Sequence, residues 1–377
     1  MTQPFAFRLD KTDGSARLGQ IQTTHGAVET PAFMAVGTRG TVKGVTVEQL
    51  KATGVPVMLS NAFHLAMRPG GDLIERLGGL HAFTGWDKVI LTDSGGYQVF
   101  SLEGLRQMDD DGATFRSPLD GAVHRFTPES VVELEAKLGA DIVMQFDECA
   151  PYPCEKERVA RATERSAAWA ERSVSHWETV RKPHQVLFPI VQGGVYPDLR
   201  AMSIERLAAL DAAGYGIGGL SVGEGAGLMM GTLDTLMPLM PSRKPRYLMG
   251  VGLPQDIIRA VARGVDMFDC VIPTRNARNA QAFTWNGTLK LRNAAHINDP
   301  RPIDETCNCP ACRTYSRAAI RHFIMEKQMT GEILLTLHNL TFYQALMRDI
   351  RSAIRESRFT DWSVASLKNL EGGQSLE

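Results

Sequence analysis

The sequence predicts an α/β protein. Its centre reads as an eight-stranded parallel (β/α) barrel of the TIM type, with an antiparallel sheet before it and a zinc-binding helical subdomain after it. Three observations carry this reading. Eight short apolar runs recur along the chain, each ending in glycine or polar residues. Helix-compatible segments lie between most of them. Three cysteines, Cys307, Cys309 and Cys312, then cluster beyond the last run. Near-continuous apolar strands alternating with helices mark a parallel sheet buried on both faces, and eight of them suit a closed barrel. An open doubly wound sheet is the alternative. No Gly-x-Gly-x-x-Gly follows the first strand, which weakens a dinucleotide-binding reading. The expected divisions are 1–31 for the antiparallel sheet, 32–280 for the barrel and 281–377 for the C-terminal subdomain.

At 377 residues and 44% hydrophobic, the chain holds enough apolar side chains for one large domain and an appendage. No apolar run approaches the roughly 18 residues of a membrane span, and Met1–Arg8 lacks a signal-peptide pattern. Six cysteines, three of them clustered, point to a reducing compartment and metal binding rather than disulfides. A cytoplasmic protein is expected. The overall charge of −1 divides into −5 over residues 1–269, +6 over 270–358 and −2 over 359–377. A basic stretch on an acidic chain suits either a polyanionic partner or a solvated helical surface.

In chain order, Phe5–Leu9 and Arg17–Gln22 alternate as short strands around a turn at Asp13-Gly14. The eight runs follow: Ala32–Gly37, Val57–Ala62, Val89–Ser94, Asp141–Asp147, Leu187–Gly193, Tyr215–Leu220, Tyr247–Gly252 and Met267–Ile272. Between them, helices are expected over Thr46–Thr53, with Thr46 as N-cap, and over Asp72–Leu77, Pro128–Leu138 and Lys156–Val180. Pro197–Ala212 and Pro254–Arg263 open with a proline suited to a first helical turn. Ala282–Leu291 reads as a hairpin turning at Asn286-Gly287. Helices over Thr314–Gln328 and Glu332–Arg358, broken at Thr330-Gly331, and a frayed tail from Glu371 complete the chain.

Barrel enzymes build their sites at the C-terminal ends of the strands. The residues at those ends include Asp93-Ser-Gly-Gly-Tyr97, Asp147-Glu-Cys149, Gln192-Gly-Gly, Gly218-Gly-Leu-Ser-Val-Gly-Glu224, Met249-Gly-Val-Gly and Asp269. Singly, each has a structural explanation, such as a helix-capping turn at Asp93 or an ion pair from Asp269 to Arg275 or Arg278. Six strand ends converging on carboxylates, a carboxamide and glycines fit a catalytic rim better. Cys307-x-Cys309-x-x-Cys312 supplies three soft ligands, and zinc takes a fourth from Cys or His in a closed structural site. His322 and His338 are both candidates by spacing.

These motifs together resemble the bacterial tRNA-guanine transglycosylases, the queuine tRNA-ribosyltransferase family. The resemblance covers Asp93-Ser-Gly-Gly-Tyr-Gln, Phe146-Asp-Glu-Cys, Val191-Gln-Gly-Gly, Gly218–Glu224, Tyr247-Leu-Met-Gly-Val-Gly, Phe268–Arg275 and the cysteine triple with His338-Asn-Leu. It implies a pentosyltransferase of queuosine biosynthesis. The enzyme exchanges the wobble guanine of G-U-N anticodon tRNAs for prequeuine (7-aminomethyl-7-deazaguanine, preQ1). The implied mechanism is double displacement through a ribosyl-aspartate. Asp269 is the implied nucleophile and Asp93 the implied general acid and base. By the same resemblance, Asp147, Gln192, Gly219 and Leu220 would bind the base edge, and Tyr97 and Met249 would sandwich its ring. Cys149, Ser221, Val222 and Glu224 would shape the pocket beside the 7-substituent, Val222 and Cys149 favouring the small aminomethyl group over bulkier queuine. Arg275 and Arg278 would contact tRNA. The resemblance also implies one structural Zn2+ on Cys307, Cys309, Cys312 and His338, and a homodimer. Ala277 and Ala280 replace two glycines of the family pattern, and Phe63 replaces a tyrosine.

Two other readings remain at this point. One is a non-catalytic tRNA-binding subunit, against which both Asp93 and Asp269 count. The other is a barrel hydrolase with a catalytic zinc, which would need a histidine cluster at the strand ends.

Overall fold

The computed structural model describes residues 5–102 and 104–372. Ala6–Asp13, Ala16–Thr23 and Gly26–Thr30 form the N-terminal antiparallel sheet. Its third strand was not distinguished in the sequence, because Gly26-Ala-Val-Glu-Thr30 offers only Val28 as a large buried residue.

All eight apolar runs become parallel staves. They are Ala32–Val36, Val57–Asn61, Val89–Asp93, Ile142–Met144, a fifth in two pieces, Tyr215–Ile217, Arg246–Leu248 and Met267–Cys270. The fifth is cut into Val186–Phe188 and Ile190–Val191 by Pro189, which has no N–H to give a ladder. The first piece pairs with stave four and the second with stave six, so the ring closes through the interruption. The Gln145 side chain fills the gap, its Oε1 accepting from the Ile190 N–H at 3.2 Å.

Side chains alternate along each stave. Met34, Leu59, Leu91, Met144 and Ile190 point into the barrel and meet Ile21 and Val28 of the N-terminal sheet. Phe33, Met58 and Ile90 point outward to the helices. The N-terminal sheet thus plugs one pole of the barrel and leaves the other, at the strands' C-terminal ends, open.

The expected helices over Pro128–Leu138 and Lys156–Val180 are present. Thr46 caps Val47–Ala52, its hydroxyl accepting from Gln49 while the Gln49 side chain returns the bond. Pro197–Ala208 and Pro254–Val261 stop short of their expected ends. Helices Ala62–Met67 and Gly79–Thr84 were not foreseen, nor was an antiparallel sheet of Arg106–Asp109, Gly112–Arg116 and Val123–Phe126. That sheet is polar on its outer face and buries mainly Ala113, Phe115 and Phe126, too few apolar residues to stand out by periodicity.

Beyond the barrel, Gln281–Thr284 and Gly287–Lys290 form the hairpin, with Trp285 and Asn286 between the paired residues. The helices are Pro310–Thr314, Arg317–Met325, Met329–Arg355 and Phe359–Gly372. The break expected at Thr330-Gly331 falls instead at Lys327, whose φ of 56° ends the preceding helix. Of the expected frayed tail, Glu371 and Gly372 close the last helix and the remainder lies outside the described residues. The helix Met329–Arg355 buries Phe342, Tyr343, Leu346 and Ile350 in the same apolar cluster as the barrel's Phe33 and Phe268. Among the described residues, no helix is long and apolar enough to cross a membrane.

Candidate active site

At the open pole lies a cavity of about 390 Å³. Stave three contributes Asp93, and the segment after stave four Asp147 and Cys149. Stave five leads to Gln192, and stave six to Gly219, Leu220, Ser221 and Val222. Stave seven leads to Met249 and stave eight carries Asp269. Tyr97 and Arg275 line the mouth, both exposed. Two of the expected residues lie outside the cavity wall: Glu224 sits behind it, and Arg278 donates to the Thr274 carbonyl at 2.9 Å.

Close packing calls for glycine at several places around the cavity, Gly96 and Gly219 among them. A Cβ on Gly96 would sit 2.3 Å from Asp147 Oδ1. One on Gly219, whose φ is +65°, would sit 2.3 Å from Gln192 Oε1. Bulk at either position would push apart the groups that face the cavity.

Three carboxylates therefore share one low-dielectric space. Burial is the main force on all three, because it disfavours the charged form. Asp93 is pushed up to about 7, first by burial and then by the charges of Asp147 and Asp269. The Gly95 backbone and the Asn61 side chain hold it back from going further; Asn61 Nδ2 donates to Asp93 Oδ2 at 2.5 Å and reaches Gln98 Oε1 at 3.0 Å. Asp147 is pushed up to about 6, against the pull of a 2.6 Å hydrogen bond from Gln192 Nε2. Asp269 is raised by burial, while the Gly250 N–H and the Tyr247 hydroxyl, each 2.7 Å from its Oδ1, favour the anion. Burial also pushes the Cys149 thiol up to about 12, so it lines the cavity as a neutral group.

The loop after stave six is held from behind. Glu224 accepts from the Ser221 N–H at 2.5 Å and the Val222 N–H at 2.9 Å. In a trans peptide the Leu220 carbonyl then points away from Glu224. The buried Arg200 guanidinium ties this loop to its neighbour, donating to the Val191 carbonyl at 2.9 Å, to Gly194 at 2.9 Å and to Gly219 at 3.3 Å.

Away from the cavity, the ligand atoms of Cys307, Cys309, Cys312 and His338 all lie within 4.8 Å of one another, a set that could hold a metal ion. His338 Nδ1 is 3.3 Å from Cys312 Sγ and 3.7 Å from Cys309 Sγ. Its Nε2 is 2.8 Å from the Phe283 carbonyl, so that nitrogen carries the proton and Nδ1 is left as the donor. His322, the other candidate, is not part of the cluster.

The chain matches the family model described as queuine tRNA-ribosyltransferase over residues 11–371. A queuine tRNA-ribosyltransferase of Desulforamulus reducens is 55% identical over 372 residues, spanning 98% of this chain and 100% of the relative. That of a Thermoanaerobacter species is 51% identical, covering 96% of each chain. That of Agrobacterium fabrum is 49% identical over 98% of this chain and 97% of its own. The chain belongs to the queuine tRNA-ribosyltransferase family. The queuine tRNA-ribosyltransferase match takes in every cavity residue named above and the four residues of the cysteine–histidine cluster. Of the two alanines expected to stand at glycine positions, Ala277 is fully buried in the C-terminal cluster and Ala280 takes a φ of +63°. Glycine adopts that conformation freely, whereas for alanine it costs roughly 1–2 kcal/mol.

Asn61, Gln98 and Tyr247 were not among the expected site residues of this family member. A signal for two of them existed. Asn61 is the last polar residue of its run and pairs in register with Asp93. Tyr247 lies two residues before Met249, on the same face of its strand.

Proposed function

We propose that this chain is a tRNA-guanine transglycosylase that replaces the wobble guanine of G-U-N anticodon tRNAs with prequeuine. The observation that carries the reading is the carboxylate triad of one cavity, with its members in different protonation environments. Asp269 accepts two hydrogen bonds that favour its anion. Asp93, pushed to about 7, can hold or release a proton near neutral pH.

In the proposed reaction the Asp269 carboxylate attacks C1′ of the ribose. The bond to N9 of guanine breaks, and Asp93 delivers its proton to the departing base. Guanine leaves and prequeuine enters. Asp93 then takes the N9 proton, N9 attacks C1′, and Asp269 is released as a carboxylate. Two inversions retain the β-glycosidic bond. The wobble base must leave its stack to reach such a pocket.

Asp147 accepts from the N1–H and 2-amino edge, which guanine and prequeuine share. The Gln192 amide gives one hydrogen to Asp147 and the other to O6, beside the Gly219 N–H. Adenine reverses that pattern and would leave buried groups unpaired. Tyr97 and Met249 enclose the ring faces. The Leu220 carbonyl accepts from the aminomethyl group while Glu224 steadies the Ser221 side of that peptide. Val222 and Cys149 limit the space beside it. Arg275 and Arg278 contact the tRNA backbone.

The donor set of three thiolates and an imidazole fits zinc as a closed structural site. When bound, zinc supplies folding free energy rather than an activated water. The family resemblance also implies a homodimer. The free cysteines suit a reducing cytoplasm.

The experiment is adduct trapping. Incubated with tRNA and radiolabelled guanine, the parent protein incorporates label and forms a denaturation-resistant tRNA adduct mapped to Asp269. Asp269→Asn binds tRNA and forms none. A normal adduct yield in that variant overturns the assignment. Binding without incorporation by the parent would make the chain a non-catalytic subunit.

A further inference from the structure

The opposite, plugged pole of the barrel holds a second group of ionisable side chains. His25 lies in the turn between the second and third N-terminal strands, His81 in the helix Gly79–Thr84, and Asp141 at the entrance to stave four. The Asp141 side chain is fully buried, and among the described residues no Lys or Arg pairs with it. Its Oδ1 is 2.7 Å from His25 Nδ1, and its Oδ2 is 3.3 Å from His81 Nε2. Oδ2 also accepts from the Ile90 N–H at 2.9 Å. The two imidazoles stack 3.7 Å apart at 14°, and His184 packs edge-on against His25 at 5.7 Å. The Lys88 carbonyl stands 3.0 Å from His81 Nε2.

Three donor atoms from three separate elements thus converge within 4.8 Å. Asp141 brings both carboxylate oxygens to the cluster, one facing each histidine. Two imidazoles and a carboxylate suit zinc, cobalt or nickel. A tetrahedral ion with bonds of about 2.0–2.1 Å spaces its ligand atoms about 3.3 Å apart. The His81 pair already has that spacing, whereas the His25 pair must open from 2.7 Å by about 0.6 Å and the His25 ring must turn out of its stack with His81, so that both in-plane lone pairs meet one ion. The site is reachable, since the His25 side chain is 30% exposed.

We propose that His25, His81 and Asp141 form a divalent transition-metal site at the N-terminal pole. It is separate in place and in ligand chemistry from the cysteine cluster. The Lys88 carbonyl and solvent complete the coordination. An ion there ties the plugging sheet to the barrel floor, because it links a turn of that sheet to two barrel elements. It stabilises the fold by mass action, since the unfolded chain has no such convergence.

The test uses full-length protein with zinc already on its cysteines, titrated with cobalt(II) chloride. One further equivalent is expected to bind, giving cobalt d–d absorption without a thiolate charge-transfer band and a concentration-dependent rise in Tm. His25→Ala removes an exposed turn ligand and should weaken this equivalent by more than the roughly 10–100-fold that an outer-shell partner is worth. His81→Gln, on a different element, should do the same. Both variants should keep the cysteine-bound zinc and the exchange activity. Uptake of no second equivalent up to millimolar cobalt overturns the proposal. So does a second equivalent that neither variant weakens.

Discussion

Removing the amide of Asn61 tests whether its surroundings set the protonation of Asp93 near neutrality. Burial and the neighbouring carboxylates push Asp93 up to about 7, and the Asn61 side chain is one of two groups that oppose them. Its Nδ2 donates to Asp93 Oδ2 at 2.5 Å. A hydrogen bond to a charged acceptor contributes about 1.5–3 kcal/mol. At 1.36 kcal/mol per pH unit, Asn61→Ala should raise Asp93 by about one to two pH units. The direction matters. Asp93 must be protonated to assist guanine departure, so a higher value keeps the competent form to higher pH. The descending limb of kcat/KM for tRNA, near 7 in the parent, should therefore move upward in the variant. Asn61 also caps the helix Ala62–Met67 by accepting from the His64 N–H. Losing that cap costs roughly 1 kcal/mol of stability, which a Tm measurement reads separately. A basic limb that stays in place while Tm falls would show that Asn61 acts only as a cap, and the account of Asp93 would fail.

Three further outcomes are expected. Cys309→Ser should lower bound zinc below one equivalent and melt the C-terminal helices before the barrel; full zinc by elemental analysis would exclude the site. Asp93→Asn should stabilise the fold at pH 8 and do little near pH 4. An acid raised from 3.8 to about 7 stabilises the native state while protonated and loses that contribution as pH rises through 7. The Tm gain at pH 8 corresponds to at most about 4 kcal/mol, reduced by solvent screening at the cavity mouth. For Val222→Gly, kcat/KM with guanine, prequeuine and queuine should show the parent's roughly ten- to hundred-fold preference for prequeuine over queuine shrinking, with guanine exchange kept; equal use of both bases by the parent would refute the pocket reading.

What the sequence revealed and what it hid divide along physical lines. The staves were visible because their apolar content is dense and their ends are punctuated by glycine, and the metal-type cluster because cysteine spacing is local. The fourth member of that cluster was not local. His338 lies on a long helix beside Leu337 and Leu340, where a core histidine reads the same. Only the fold brings its Nδ1 to Cys312 while the Phe283 carbonyl takes its other nitrogen. Asn61 and Tyr247 each left a signal of place, a polar run end and a shared strand face, but the neighbour each bonds depends on strand register, which is not written in either run alone. The sheet Arg106–Phe126 was missed because its strands bury few residues.

Buried acids in this chain are held in different ways; among the described residues Glu135, outside the cavity, has only the Thr92 hydroxyl. At the plugged pole, Asp266 has Arg17 at 3.0 Å and Asp141 has two histidines. Behind the cavity wall, Glu148 is paired with Arg158 and Arg165. Among the described residues, Asp93, Asp147 and Asp269 have no cationic partner within salt-bridge distance. They are held instead by an amide, a hydroxyl and backbone N–H groups. A fold under selection for stability alone would replace or pair such acids, because each buried charge costs several kcal/mol. Neutral donors do something a guanidinium cannot. They fix the position of a carboxylate without locking it as an anion, and they leave it able to gain or lose a proton, or a bond to carbon, during a turnover. The lack of a cation paired with these three carboxylates is thus the feature that fits them for acid–base and nucleophilic work. Introducing one should abolish that work: Tyr247→Lys would bring an ammonium toward Asp269, favour a fixed ion pair, and raise Tm while suppressing adduct formation. If that variant still trapped tRNA at the parent's rate, the neutral surroundings of Asp269 would have no part in its reactivity.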